Sequence, residues 1–181
     1  MRVVGEFVVE AEQVADHAAV DEVVRRAFAH HPGVADMVAA IRASPRYRPG
    51  LALVARVGPR VVGFVMLSGT DLVVDAGMRR EVLTLTPLAV LPEYQRRGIG
   101  SALVRAAVQE ADRRGEPIVV LEGSPHYYGR LGFTFAPAHG ISIELPDWAP
   151  REAAQMYPLS SYHPRVRGRI DYPPEIAAIA R

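Results

Sequence analysis

Residues 98–114 carry apolar side chains at helical spacing, and they run almost directly into Ile118-Val119-Val120-Leu121, four apolar residues with no polar alternation. The helical stripe comprises Ile99, Leu103, Ala106, Ala107 and Val108, and Gly115 supplies a C-terminal stop. A strand without a polar face is expected at the buried centre of a sheet, so the chain needs helical cover around that strand. This combination constrains the fold more than any other feature of the sequence.

The flanking segments fit the same plan. Residues 3–9 predict a first strand around Gly5 and Glu6. Residues 15–29 predict a helix, with Val20, Val23, Val24, Ala27 and Phe28 on its apolar side and Asp16 as its N-cap. His30-His31-Pro32-Gly33 breaks that helix, and a second covers 34–43 before the proline loop at 45–49. Residues 51–57 and 60–68 are valine-rich and separated by Gly58-Pro59, which predicts a hairpin. A strand at 82–90 follows the turn at Asp75-Ala76-Gly77. Residues 125–131 predict one or two helical turns stopped by Gly132, and 133–136, 141–145 and 152–159 predict short strands. The order gives a mixed α/β sheet without the regular alternation of a doubly wound fold. A chain of 181 residues suits one domain, drawn at 1–160, with a C-terminal extension at 161–181 packed on it.

Composition removes whole classes of chemistry. The 21 basic and 20 acidic residues leave a charge of +1, which offers no electrostatic footprint for nucleic acid or a membrane surface. Every basic residue is arginine, so no lysine Schiff base, phosphate-loop lysine or lysine base exists. Cysteine is absent, which excludes a thiolate nucleophile and a disulfide and agrees with a reducing compartment. The longest apolar run, 61–67, is far below the roughly 18 residues of a membrane span. Glu6 interrupts any signal-peptide core, so a cytoplasmic location is expected.

The chemistry concentrates at Leu88-Ala89-Val90-Leu91-Pro92-Glu93-Tyr94-Gln95-Arg96-Arg97-Gly98-Ile99-Gly100-Ser101. Here a strand ends, a polar loop turns, and glycines open a helix. Unpaired N–H groups and the positive end of the helix dipole make that junction an anion site, and Gly98 and Gly100 let an anion approach the main chain. A phosphate-type ligand at 96–101 follows. An ATPase-type loop needs the lysine this chain lacks, and a dinucleotide fingerprint fails at Leu103 and at Gln-Arg-Arg.

Gln95-Arg96-Arg97-Gly98-Ile99-Gly100 resembles the coenzyme A pyrophosphate motif of the GNAT acyltransferase superfamily. Tyr127-Tyr128-Gly129-Arg130-Leu131-Gly132-Phe133 is similar to that family's aromatic-Tyr-x-x-x-Gly-Phe motif. The resemblance spans about 51–136 closely and the N-terminal helix region loosely. It implies a central, mostly antiparallel sheet with splayed fourth and fifth strands flanked by helices. It further implies acetyl-CoA as co-substrate, an amine acceptor, and acetyl transfer to a primary amine in a direct ternary complex. A homodimer is compatible with it, and a non-catalytic acyl-CoA-binding or regulatory module is the alternative.

Carried over residue by residue, Leu88, Ala89 and Val90 become main-chain partners of the acyl-pantetheine. Arg96, Arg97, Gly98, Ile99, Gly100 and Ser101 become the pyrophosphate cradle. Tyr128 becomes the general acid for the departing thiolate, with Tyr127 a packing residue. Pro87 cannot donate to a sheet ladder, so a bulge is expected where the strand should part from its neighbour. An alkyl ammonium has a pKa of about 10.4, so a proton acceptor is needed. Glu122 and Glu81 rank together for that role, and His126 comes third.

His30-His31 has no third ligand at metal spacing, so no metal is expected. The pair, with Arg46, Tyr47 and Arg48, either lines the acceptor pocket or forms a solvated loop. Arg165, Arg167 and Arg169 alternate as on an edge strand with one charged face; the alternative is a tail that closes over the acceptor and selects an acidic one. Trp148 is expected to plug a core edge.

Overall fold

Valine-rich β-strands around Gly58-Pro59 form the middle of a ten-stranded sheet in the computed structural model of the protein, which describes residues 2–4, 7–74 and 77–179. Gly5 and Glu6 of the expected first strand, and Asp75-Ala76 of the expected turn, lie outside the described residues. The strands are β1 (Arg2–Val4), β2 (Phe7–Ala11), β3 (Ala52–Val57), β4 (Arg60–Val73), β5 (Arg79–Val90), β6 (Ile118–Glu122), β7 (Thr134–Phe135), β8 (Ile141–Ser142), β9 (Ala154–Pro158) and β10 (Gly168–Asp171). The helices are α1 (His17–Ala27), α2 (Gly33–Arg42), α3 (Ile99–Arg113), α4 (Pro125–Gly129) and α5 (Pro174–Ala177).

The sheet runs β1-β2-β3-β4-β5-β6-β9-β7, and β10 pairs with both β4 and β8. Its ladders are antiparallel except β5–β6 and β8–β10. The stripe on α3 buries Leu103, Val104, Ala107 and Ala111 completely against the sheet, and Ile118 to Val120 are likewise without exposure. A wholly apolar strand therefore does sit at the buried centre.

Three expectations are corrected and one is refined. The first strand is a hairpin, because Val4 pairs with Phe7 and β2 continues to Ala11. Asp16 does hold the N-cap position of α1, but its side chain makes no capping bond; its carboxylate accepts the Gln13 N–H at 2.9 Å and binds Arg56 instead. The β4–β5 hairpin extends well past its apolar residues, to Val73 and back from Arg79, where Asp71 is held by Arg46 and Arg79. β10 is interior rather than an edge, with Val166 and Ile170 buried and Arg165, Arg167 and Arg169 outward.

Gly168 makes that last pairing possible. Its φ is 149°, and a Cβ there would collide with the Val73 carbonyl oxygen across the ladder. Gly168→Ala should therefore cost about 2–4 kcal/mol of stability, read as a lower denaturant midpoint with an unchanged slope.

The feature that positions the site is the parting of β5 from β6. Their parallel ladder contains only Leu83 opposite Val119 and Thr84 opposite Val120. Just beyond it, Val65 of β4 faces Leu88 while Leu67 faces Leu85, so β5 carries one extra residue at Thr86-Pro87. The bulge falls at Pro87, where the missing N–H removes a ladder bond.

Candidate active site

Beyond Thr84 the outer edge of β5 has no strand partner among the described residues, and the gap opens into a cavity of about 720 Å³. Thr84, Thr86 and Leu88 line it from β5, and Glu122, Gly123 and Tyr128 face them from the other side.

Glu122 is the last residue of β6, opposite Ala154 of β9. One of its carboxylate oxygens is shut off from solvent and has no hydrogen-bond partner among the described residues. Burial pushes its pKa above the ordinary 4.5, and the neighbouring Tyr172 hydroxyl opposes that shift only in part. An acid with a raised pKa and a free oxygen in a cavity is suited to accepting a proton.

Tyr128 stands on α4, whose start is capped by Ser124: the Tyr127 N–H donates to its Oγ at 3.3 Å, and the Tyr128 N–H to its carbonyl at 3.0 Å. Gly123 leaves the room, since a Cβ there would lie 2.6 Å from Cε2 of Tyr128. The ring is held edge-on by Tyr127, at 4.9 Å between centroids, and by Phe133, at 5.5 Å. Burial raises the phenol pKa well above 10, with Tyr127 adding to it, so the hydroxyl keeps its proton throughout the neutral range.

The glycine turn lies at the far end of the same gap. Arg96 has φ 60° and Gly98 φ 81°, and the amides of residues 96–101 have no main-chain acceptor among the described residues. Successive unpaired amides in such a turn form an anion-binding concavity. Arg97 rests over the Tyr94 ring at 5.3 Å, Ile99 sends its side chain into the core, and Ser101 is half-buried in the first turn of α3. A Cβ on Gly98 would meet nothing within 4 Å, whereas one on Gly100 would stand 2.8 Å from the Tyr127 hydroxyl and 3.7 Å from Leu88. Leu88 thus borders both the turn and the cavity. Ala89 is buried opposite Phe64, and the Val90 carbonyl accepts from Gln95 Nε2 at 3.0 Å.

Other expected site residues are not brought here. Glu81 is ion-paired with Arg46 and Arg48 and pairs with Asp71 in the ladder, away from the cavity lining. Tyr47 donates to Glu12 at 3.3 Å, so this cluster is structural rather than acceptor-lining. His126 and His30 are exposed outside the cavity, while His31 lines it. Trp148 is 84% exposed at the cavity rim, not in a core edge. The three alternating tail arginines do not line the cavity, yet Tyr172 and Ile176 of that tail do.

Tyr172 and Gly123 are site residues that the sequence motifs do not single out. Gly123, between an apolar strand and a capping serine, carries a local signal. Tyr172 carries none, because its relation to Glu122 exists only once β10 has paired with β4.

Residues 11–136 match the family model of the acetyltransferase (GNAT) domain. The chain is 34% identical over 119 residues to the uncharacterized N-acetyltransferase YjhQ of Escherichia coli K12, covering 65% of this chain and 64% of that protein, just under two thirds of the relative's length. It is 27% identical over 140 residues to the uncharacterized N-acetyltransferase YhbS of the same strain, covering 77% and 81%. In fold it is similar to the crystal structure of Escherichia coli YhbS in complex with CoA, with a TM-score of 0.85, 24% identity and coverage of 98% and 95%. A GNAT family acetyltransferase from Brucella melitensis in complex with acetyl-CoA superposes with a TM-score of 0.74 at 24% identity, covering 94% and 97%.

Proposed function

Because the chain belongs to the GNAT family of N-acetyltransferases, we propose that it moves an acetyl group from acetyl-CoA to a primary amine in one ternary complex, with Glu122 as base and Tyr128 as acid. The observation that carries this reading is the pairing of opposites in one cavity: a half-buried carboxylate with one oxygen shut off from solvent and unpartnered, and a half-buried, protonated phenol, lining the space where β5 and β6 part.

Each residue has a distinct task. Arg96 and the amides of 96–101 hold the diphosphate, and the unpaired edge of β5 from Leu85 to Val90 guides the pantetheine arm. At pH 7 only about one alkyl amine in 10³ is unprotonated, so Glu122 takes the ammonium proton before or during attack. A free N–H on that edge of β5 stabilises the carbonyl oxygen as it gains negative charge. Tyr128 gives its proton to the departing sulfur. Direct transfer is the economical route in a chain without cysteine. Glu81 is assigned no step, since two guanidinium groups hold it. The C-terminal segment contributes to the site through Tyr172.

The bound structures of the two fold neighbours support the choice of donor. Acetyl-CoA at about 100 times its Kd should stabilise the protein by about 2.7 kcal/mol, seen as a rise in Tm. An amine panel should then release free coenzyme A thiol. A Tm rise without thiol release would favour the non-catalytic binding module, and no rise at all would remove both readings.

A further inference from the structure

The wall of the cavity that faces the β5–β6 gap is apolar. Phe28, Val34 and Met37 come from the α1–α2 region and Ile176 and Ile179 from the C-terminal end. Among the described residues no arginine lines the cavity, and Glu122 is the only carboxylate that does. His31 and the phenols of Tyr128 and Tyr172 are the other titratable groups that face it.

Trp148, 84% exposed, lines the same cavity from the segment leading into β9, whose Ala154 pairs with Glu122. A large apolar ring left in water beside an apolar hollow is a surface that a ligand covers. An ammonium group complements the unpartnered Glu122 oxygen, and among the described lining residues no further carboxylate and no guanidinium complements a second charge.

We propose that the acceptor is a primary amine on an aromatic body with no other charge, seated between Trp148 and the apolar wall with its nitrogen at Glu122. This rests on the acetyl-transfer reading above. Among the described lining residues a polyamine would bury cations without further carboxylate partners, and an acidic acceptor would meet Glu122 and no guanidinium; both are disfavoured by desolvation.

Trp148 is the only tryptophan, so its emission reports this rim alone. The protein saturated with coenzyme A should show a saturable change in tryptophan emission on titration with 2-phenylethylamine, and none with spermidine. Trp148→Ala should raise the KM for 2-phenylethylamine about tenfold while kcat and the KM for acetyl-CoA hold, and Trp148→Phe should restore most of the loss.

Preferential turnover of spermidine or of a lysine-containing peptide would overturn the acceptor assignment while leaving acetyl transfer intact. Loss of the emission change when octanoyl-CoA replaces coenzyme A would give the wall to the acyl chain and likewise overturn it. Absence of thiol release with every amine would instead strike the acetyl-transfer reading itself.

Discussion

Tyr128→Phe should lower kcat about 10²-fold while leaving the KM for acetyl-CoA nearly unchanged. The substitution removes one hydroxyl and keeps the ring, which Gly123 admits and which Tyr127 and Phe133 hold edge-on. What is lost is therefore the proton donor rather than the packing. Burial has raised the phenol pKa, which would weaken an acid acting on a solvated base. A departing thiolate in the same cavity suffers the same desolvation, so the two groups rise together and the proton can still pass. With the phenol protonated throughout the neutral range, Tyr128 should contribute no alkaline limb to the kcat profile below about pH 10. Equal losses in kcat and in acetyl-CoA affinity would make Tyr128 a packing residue.

Glu122→Gln should lower kcat/KM at pH 7 by about 10²-fold and abolish the acid limb of the pH profile. The sign follows from burial. Desolvation raises the Glu122 pKa above 4.5, the base works only when ionised, and activity in the unaltered enzyme should therefore fall as pH drops through that raised value. Stability has the opposite dependence. A carboxyl whose folded pKa exceeds its unfolded value contributes stability below the unfolded pKa, and this contribution is lost as pH rises through the folded pKa. At pH 7 the folded protein carries the cost of a buried carboxylate, so Glu122→Gln should raise Tm at pH 7 and lose that advantage below about pH 4. A variant that is more stable and less active is the signature of a residue kept for chemistry. A variant that keeps activity and loses stability would return Glu122 to a structural role.

Local features of the site were legible before the fold was known. The glycine turn at 96–101, the apolar stripe of α3, the buried strand after it, the tyrosine ahead of Gly132-Phe133 and the bulge at Pro87 all depend on residues within a few positions of one another. The ranking of the two carboxylates was not legible, because both end or begin strands. Parallel pairing of Leu83 with Val119 puts Glu81 level with Pro117, five residues before Glu122, or about 16 Å along the strand at ~3.3 Å per residue. Register alone separates them.

Trp148 misled in the other direction. A lone tryptophan is usually well buried, and nothing near it in the chain announces a rim. Tyr172 lies fifty residues beyond Glu122, and the C-terminal strand brings it there by pairing with β4. From sequence alone came the fold class and the glycine turn at 96–101, since backbone conformation and helix polarity are written in short runs of residues, whereas the role expected of Tyr128 is implied by the family resemblance. Tertiary structure alone decided which of the two carboxylates lines the cavity, which apolar side chains wall it and that Trp148 stands at its rim. Those depend on strand register and chain closure, which are set by the packing of the whole sheet and leave no local trace.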